Sequence, residues 1–124
     1  IIMKSFLLVF FGGGLGSSLR YLVTIAMNHY SKVLPFGTFT VNILGCLLIG
    51  LILGYAQKEN TLNSNQTLLL ATGFCGGFTT FSAFANENLE LIKNGEIFNF
   101  SVYTIGSILV GILAVFIGFY LTNR

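Results

Sequence analysis

Glycines and hydroxyl side chains interrupt an apolar run at residues 73–84, and this pattern suits ion binding. The glycines are Gly73, Gly76 and Gly77, and the hydroxyls belong to Thr79, Thr80 and Ser82. Backbone that leaves the helix at membrane depth is tolerated only where protein or a wet path surrounds it. Freed carbonyls can bind a cation there, and freed N–H groups or hydroxyls can bind an anion. The alternative is a glycine-rich packing face whose hydroxyls bond back to the preceding turn.

Asn42 is a second polar group inside an apolar run. Thr38, Asn42 and Gly45 are spaced four and three residues apart, so they share one helical face. An unpaired amide is costly away from water. Asn42 therefore either joins two helices or offers an N–H donor to a permeating anion.

Two phenylalanines follow the interrupted stretch at a helical spacing. Phe81 and Phe84 are three residues apart and project from one face. Their ring edges are positive, so they can line an anion path without a fixed charge, although packing is the simpler interpretation. Glu87, one turn further along, is interpreted as a group at the mouth of the path or as part of a solvated helix end.

Polar residues in the first and last apolar runs extend this pattern. Tyr103 and Ser107 are four residues apart and predict a line of hydroxyls, unless the tyrosine is a membrane-interface anchor. Arg20 lies inside the first apolar run, where an arginine faces the protein interior or a cavity, or snorkels to the interface.

The elements that carry these residues are predicted to be membrane helices. Of the 124 residues, 54% are hydrophobic and only 8% are charged, whereas soluble chains carry about 25% charged residues. Four apolar stretches, each near the ~20 residues that a bilayer core requires, are predicted at residues 5–27, 36–56, 66–92 and 97–122. Short polar connectors separate them at residues 28–32, 57–65 and 93–96, so residues 1–124 form one four-span subunit.

Several classes of protein are disfavoured by the same composition. The net charge of +2 is small and dispersed, which disfavours nucleic-acid binding. There is no aspartate, and the single histidine, His29, lies in a connector, which disfavours an enzyme. Cys46 and Cys75 lie in apolar spans and favour buried free thiols over a disulfide.

The basic residues hardly select an orientation in the membrane. If both termini lie on one side, that side carries Lys4, Lys58 and Arg124. The other side carries Lys32 and Lys93, with Arg20 added if it snorkels. Because this bias is small, insertion in both orientations is predicted.

In these motifs the chain resembles the Fluc/CrcB family of fluoride channels over nearly its whole length. The motifs are Gly16-x-x-x-Arg20-Tyr21, Gly37-Thr38-x-x-Val41-Asn42-x-x-Gly45, the glycine-rich stretch Gly73-Phe74-Cys75-Gly76-Gly77-Phe78-Thr79-Thr80-Phe81-Ser82-x-Phe84, and then Glu87 and Tyr103. The resemblance implies an all-α membrane protein that forms an antiparallel, dual-topology homodimer in the bacterial plasma (inner) membrane. It also implies a third helix broken mid-membrane and two fluoride pores along the dimer interface.

The resemblance also assigns residues to the ions. A structural sodium ion is expected on the main-chain carbonyls of Gly76 and Thr79 from both subunits. The expected fluoride pore comprises Asn42, Phe81, Phe84, Tyr103, Ser107, Ser82 and Thr38, with Arg20 and Glu87 as further site residues. Ala83 stands where the family usually has threonine, so one hydroxyl of the expected line is missing.

Two other functions remain open from the residues alone. A small dual-topology drug or cation exporter has a similar length and four spans, but it is expected to place a carboxylate deep in a span for proton coupling. The first span has none. A membrane assembly subunit without transport activity would use the glycines only for packing.

Overall fold

The computed structural model describes residues 1–27, 34–58 and 61–124. The predicted connector at residues 28–32, which contains His29 and Lys32, lies outside the described residues. Residues 59 and 60 of the second connector lie outside them as well.

All the regular secondary structure in the described residues is helical. Helix α1 spans Ile2–Met27 and α2 spans Phe36–Gln57. The third span comprises α3 (Ser64–Thr67), a π-helical segment (Leu68–Cys75), α4 (Gly76–Phe78) and α5 (Phe81–Lys93), and α6 spans Ile97–Asn123. By length and composition, four helical segments can cross a membrane. The prediction of a multi-pass protein with four spans is therefore confirmed.

The third span is interrupted near its middle, as predicted. Thr79 (φ −88°, ψ 158°) and Thr80 (φ −150°, ψ 120°) are extended, so the helix stops at Phe78 and starts again at Phe81. The Thr80 hydroxyl accepts the N–H of Ala83 at 3.2 Å and thereby caps α5. The π-helical turn before the break was not predicted, because hydrophobic periodicity does not distinguish π-helical from α-helical turns.

Close backbone contact joins α1 to the first half of the third span. The two elements meet where Gly13 faces Gly77, and a Cβ built on Gly77 would lie 2.9 Å from the Gly13 Cα. Only glycine permits this approach, because any other side chain would enter the opposing backbone. The packing interpretation of the glycines is therefore correct at Gly77.

We expect Gly77→Ala to lower the free energy of unfolding by about 1–3 kcal/mol, because the added methyl forces two backbones apart. Gly14→Ala is the matched control, since a Cβ at Gly14 would meet nothing within 4 Å. Reversible unfolding of both variants in lipid bicelles measures the difference. Equal stabilities would contradict the close contact.

A tight turn joins α5 to α6, as predicted for residues 93–96. Gly95 adopts φ 74°, which glycine tolerates best, and the Glu96 N–H donates to the Leu91 carbonyl at 2.8 Å. The turn sends α6 back along α5. It thereby brings Tyr103 beside Glu87.

Candidate functional site

One face of α2 lies against the interrupted third span. The Thr38 hydroxyl donates to Glu87 Oε2 at 2.6 Å. Asn42 bonds Thr80, and a Cβ built on Gly45 would enter the Thr79 methyl group. The face predicted from the spacing of Thr38, Asn42 and Gly45 is therefore confirmed.

The Asn42 amide forms hydrogen bonds with both backbone polar groups of Thr80 at the break. Its Oδ1 accepts the Thr80 N–H at 2.8 Å, and its Nδ2 donates to the Thr80 carbonyl at 3.1 Å. Asn42 thus joins two helices, which was one of its two interpretations. Because Nδ2 carries two N–H groups, one donor is left after this bond.

The carbonyls of Gly76 and Thr79 are among those that lose their usual helical donors at the break. In a continuous helix the Thr80 N–H would bond the Gly76 carbonyl, and the Ala83 N–H would bond the Thr79 carbonyl. Here the Thr80 N–H goes to Asn42, and the Ala83 N–H goes to the Thr80 hydroxyl. Gly76 and Thr79 therefore present carbonyl oxygens outside the helical ladder.

These two carbonyls suit a hard monovalent cation such as sodium, because main-chain oxygens replace the water around such ions. Gly76 is exposed, so its backbone can be approached from outside the subunit. No cluster of three or more His, Cys, Asp or Glu side chains occurs in the described part of the chain.

A cavity of about 520 Å³ opens beside the break. It brings together six of the predicted site residues, which are Asn42, Gly76, Thr79, Phe81, Phe84 and Ser107. Among the described residues, no charged side chain lines it. The Ser107 hydroxyl oxygen is buried and has no hydrogen-bond partner in the described chain. The cavity therefore offers amide, hydroxyl and aromatic groups without a fixed charge.

The phenylalanines connect this cavity to a polar cluster around Glu87. The ring centroids of Phe81 and Phe84 are 5.7 Å apart, and those of Phe84 and Tyr103 are 5.1 Å apart. The Tyr103 hydroxyl donates to Glu87 Oε1 at 2.8 Å, opposite the bond from Thr38. Polar groups therefore continue beyond Phe84 towards the end of α5.

Glu87 is not a solvated helix end. Its side chain is half-buried and accepts hydrogen bonds from Thr38 and Tyr103, which are 2% and 5% exposed. Tyr103 therefore packs inside the subunit, and its interpretation as a membrane-interface anchor is wrong. Ser82, by contrast, is exposed, and its hydroxyl lies 3.2 Å from that of Thr80.

Arg20 contacts the break but does not line the cavity. Its Nε donates to the Gly77 carbonyl at 3.0 Å, and the Ser17 hydroxyl donates to the same oxygen at 3.4 Å. Arg20 therefore faces the protein interior, and the snorkelling alternative is wrong. The predicted residues outside the cavity lining are Thr38, Ser82, Tyr103, Glu87 and Arg20.

Sequence reasoning assigned no role to Thr80 or Ser17. Thr80 begins the pattern of a helix N-cap, a hydroxyl residue just before a helical run, and this signal could have identified it. Ser17 precedes Arg20 by three residues, so the shared face was visible but the common acceptor was not. Cys46 and Cys75, predicted to be free, are free and line the cavity.

Comparisons with known proteins show which family the chain resembles. The family model described as "CrcB-like protein, Camphor Resistance (CrcB)" matches residues 7–119. A protein of Phocaeicola vulgatus named "Fluoride-specific ion channel FluC" is 49% identical over 122 residues, covering 98% of this chain and all of the relative. A protein of the same name from Gloeothece citriformis is 50% identical over 123 residues, covering 98% of this chain and 99% of the relative. The chain belongs to the CrcB/FluC family of fluoride-specific ion channels.

Proposed function

We propose that this protein is a fluoride-selective channel that lets cytoplasmic fluoride leave the cell passively. The observation that carries the proposal is the uncharged cavity beside the break, lined by the Asn42 amide, two phenylalanines and the Ser107 hydroxyl. The relatives carry the name of a fluoride-specific ion channel. That name also agrees with the expectation that the chain is not an enzyme.

The lining groups fit a small and strongly hydrated anion. Fluoride must exchange its water for compact donors, which the remaining Asn42 N–H, the Ser107 hydroxyl and the phenylalanine edges provide. Conduction also requires that binding be weak enough to let the ion leave. A fixed positive charge in the lining would hold fluoride too tightly, and no such charge lines the cavity.

We propose that two chains pair in antiparallel orientation to form two pores. Phe81 lines the cavity and is nevertheless 78% exposed, so one chain leaves this wall open. A second copy would cover it and supply groups to the same path. On this proposal Thr38, Ser82, Tyr103 and Ser107 belong to the polar line, and Glu87 belongs to its mouth.

We further propose a structural sodium ion between the subunits. Gly76 and Thr79 contribute two unbonded carbonyls per chain, so a two-fold axis would bring four hard oxygens together. The bound charge would lower the cost of an anion in the nearby low-dielectric pores. The protein would bind this sodium ion through main-chain oxygens alone.

Fluoride efflux from liposomes tests the function. We expect vesicles with the purified protein to release fluoride to an electrode, and matched vesicles loaded with chloride to retain it. Replacing sodium inside and outside by N-methylglucamine is expected to reduce the fluoride flux. Absence of fluoride efflux would contradict the channel. Sodium-independent efflux would contradict only the cation site.

The same assay separates the alternatives. An exporter would move cationic substrates in response to a proton gradient, and an assembly subunit would transport neither. The structure favours neither alternative, because α1 contains no carboxylate for proton coupling and a cavity lies beside the break.

A further inference from the structure

Arg20 contacts the break at Gly77, and neither residue lines the cavity. Its Nε donates to the Gly77 carbonyl, while Gly76, one residue earlier, lines the cavity. The backbone contact between Gly13 and Gly77 brings α1 close enough for this bond. Ser17 donates to the same oxygen from one turn before Arg20. Two side chains of α1 thus converge on one carbonyl of the third span.

The Gly77 carbonyl is a further acceptor that the break frees. In a continuous helix it would accept the Phe81 N–H, but Phe81 begins a new helix after two extended residues. Left alone, this oxygen would compete with the carbonyls of Gly76 and Thr79 for a cation. The guanidinium instead engages it, at the negative end of α4 where a positive charge is favourable.

We propose that Arg20 is a positioning residue for the cation site, where it holds the Gly77 carbonyl on the α1 side. Gly77 is thereby withdrawn from the carbonyls open to the cation, which include those of Gly76 and Thr79. This inference rests on the proposed sodium site for its functional consequence, but the contact itself does not. Arginine suits the position because its planar group fixes the direction of the Nε–H, whereas a lysine ammonium does not.

The contact is measured first, by solid-state NMR on the full chain in lipid. The sequence has two arginines, Arg20 and Arg124, so Arg124→Lys leaves Arg20 as the only one. In that background, arginine labelled with ¹⁵N at Nε and glycine labelled with ¹³C at the carbonyl are expected to show a short dipolar contact. Its absence would overturn the inference.

The consequence is measured in the efflux assay as a sodium titration at fixed fluoride. We expect Arg20→Met to raise the half-saturating sodium concentration about tenfold, which corresponds to the loss of one hydrogen bond to a charged group. Arg20→Lys retains the charge and is expected to recover part of the loss. A purely structural role would lower the maximal flux without moving the sodium midpoint.

Arg124→Gln is the matched control, because it removes an exposed terminal arginine and is expected to leave the midpoint unchanged. If Arg20→Met does not fold, Ser17→Ala, which removes the weaker donor, is expected to shift the midpoint in the same direction by a smaller factor. An unchanged midpoint in every folded variant overturns the inference. If the fluoride flux of the wild type does not depend on sodium, the proposed cation site is wrong. Arg20 is then judged by its NMR contact and by whether Arg20→Lys restores the flux that Arg20→Met loses.

Discussion

Asn42→Ala is expected to reduce fluoride efflux from liposomes by at least about tenfold. The substitution removes the N–H donor proposed for the ion and also leaves the Thr80 N–H without its side-chain partner. Each buried group left unpaired costs about 1–3 kcal/mol, and ~1.4 kcal/mol is a factor of ten. The rate of electrode-detected efflux per reconstituted protein measures the effect.

Two further variants separate the roles of Asn42. Asn65→Ala is the matched control, because Asn65 is exposed on α3. This variant is expected to conduct fluoride at the wild-type rate. Asn42→Asp keeps an acceptor for the Thr80 N–H but loses both N–H donors and adds a negative charge. It is expected to retain the break and still lose fluoride flux. Wild-type efflux in Asn42→Ala would remove Asn42 from the ion path.

Adding two or three lysines to the C-terminus is expected to fix one orientation in the membrane and to abolish most functional channels. The structure removes Arg20 from the flanking charges, because its side chain bonds Gly77 inside the protein. The wild-type count is then three basic residues against two, which hardly selects an orientation. Accessibility of a terminal cysteine to an impermeant maleimide measures the orientation.

The matched control adds the same number of glutamines, which lengthens the chain without a charge and is expected to leave flux intact. Lysines added instead to the connector that contains Lys93 should bias insertion the other way. Co-expression of the two oppositely biased forms is expected to restore efflux. A population in one orientation that conducts like the wild type would exclude antiparallel pairing.

The four spans were predictable because each combines sufficient length with continuous apolar composition, and every predicted end lies within three residues of the observed one. The break was predictable from the glycines and hydroxyls at residues 73–84. The residue at which the helix stops was not, because it depends on contacts with other helices. Asn42 of α2 takes the Thr80 N–H, and Arg20 of α1 takes the Gly77 carbonyl.

In the candidate site, too, local features were predictable from the sequence and long-range contacts were not. The spacing of Thr38, Asn42 and Gly45 correctly predicted a shared face, since helical periodicity is a local property. It did not show that Thr38 and Tyr103 converge on Glu87, which requires the turn at Gly95 to return α6 along α5. Long-range pairings of this kind decide whether Glu87 is a solvated carboxylate or an acceptor inside the subunit.

Bonds from within the described chain hold the break. Asn42, Arg20 and the Thr80 hydroxyl each engage a backbone group there. On the proposed antiparallel pairing, these bonds would order the backbone of each monomer before it meets its counterpart. Rigid groups bind with a smaller entropic loss than groups that must first be ordered. On the proposed pairing, two newly inserted monomers would associate with this backbone already folded, and their encounter in the bilayer, rather than refolding of the third span, would limit how fast channels form.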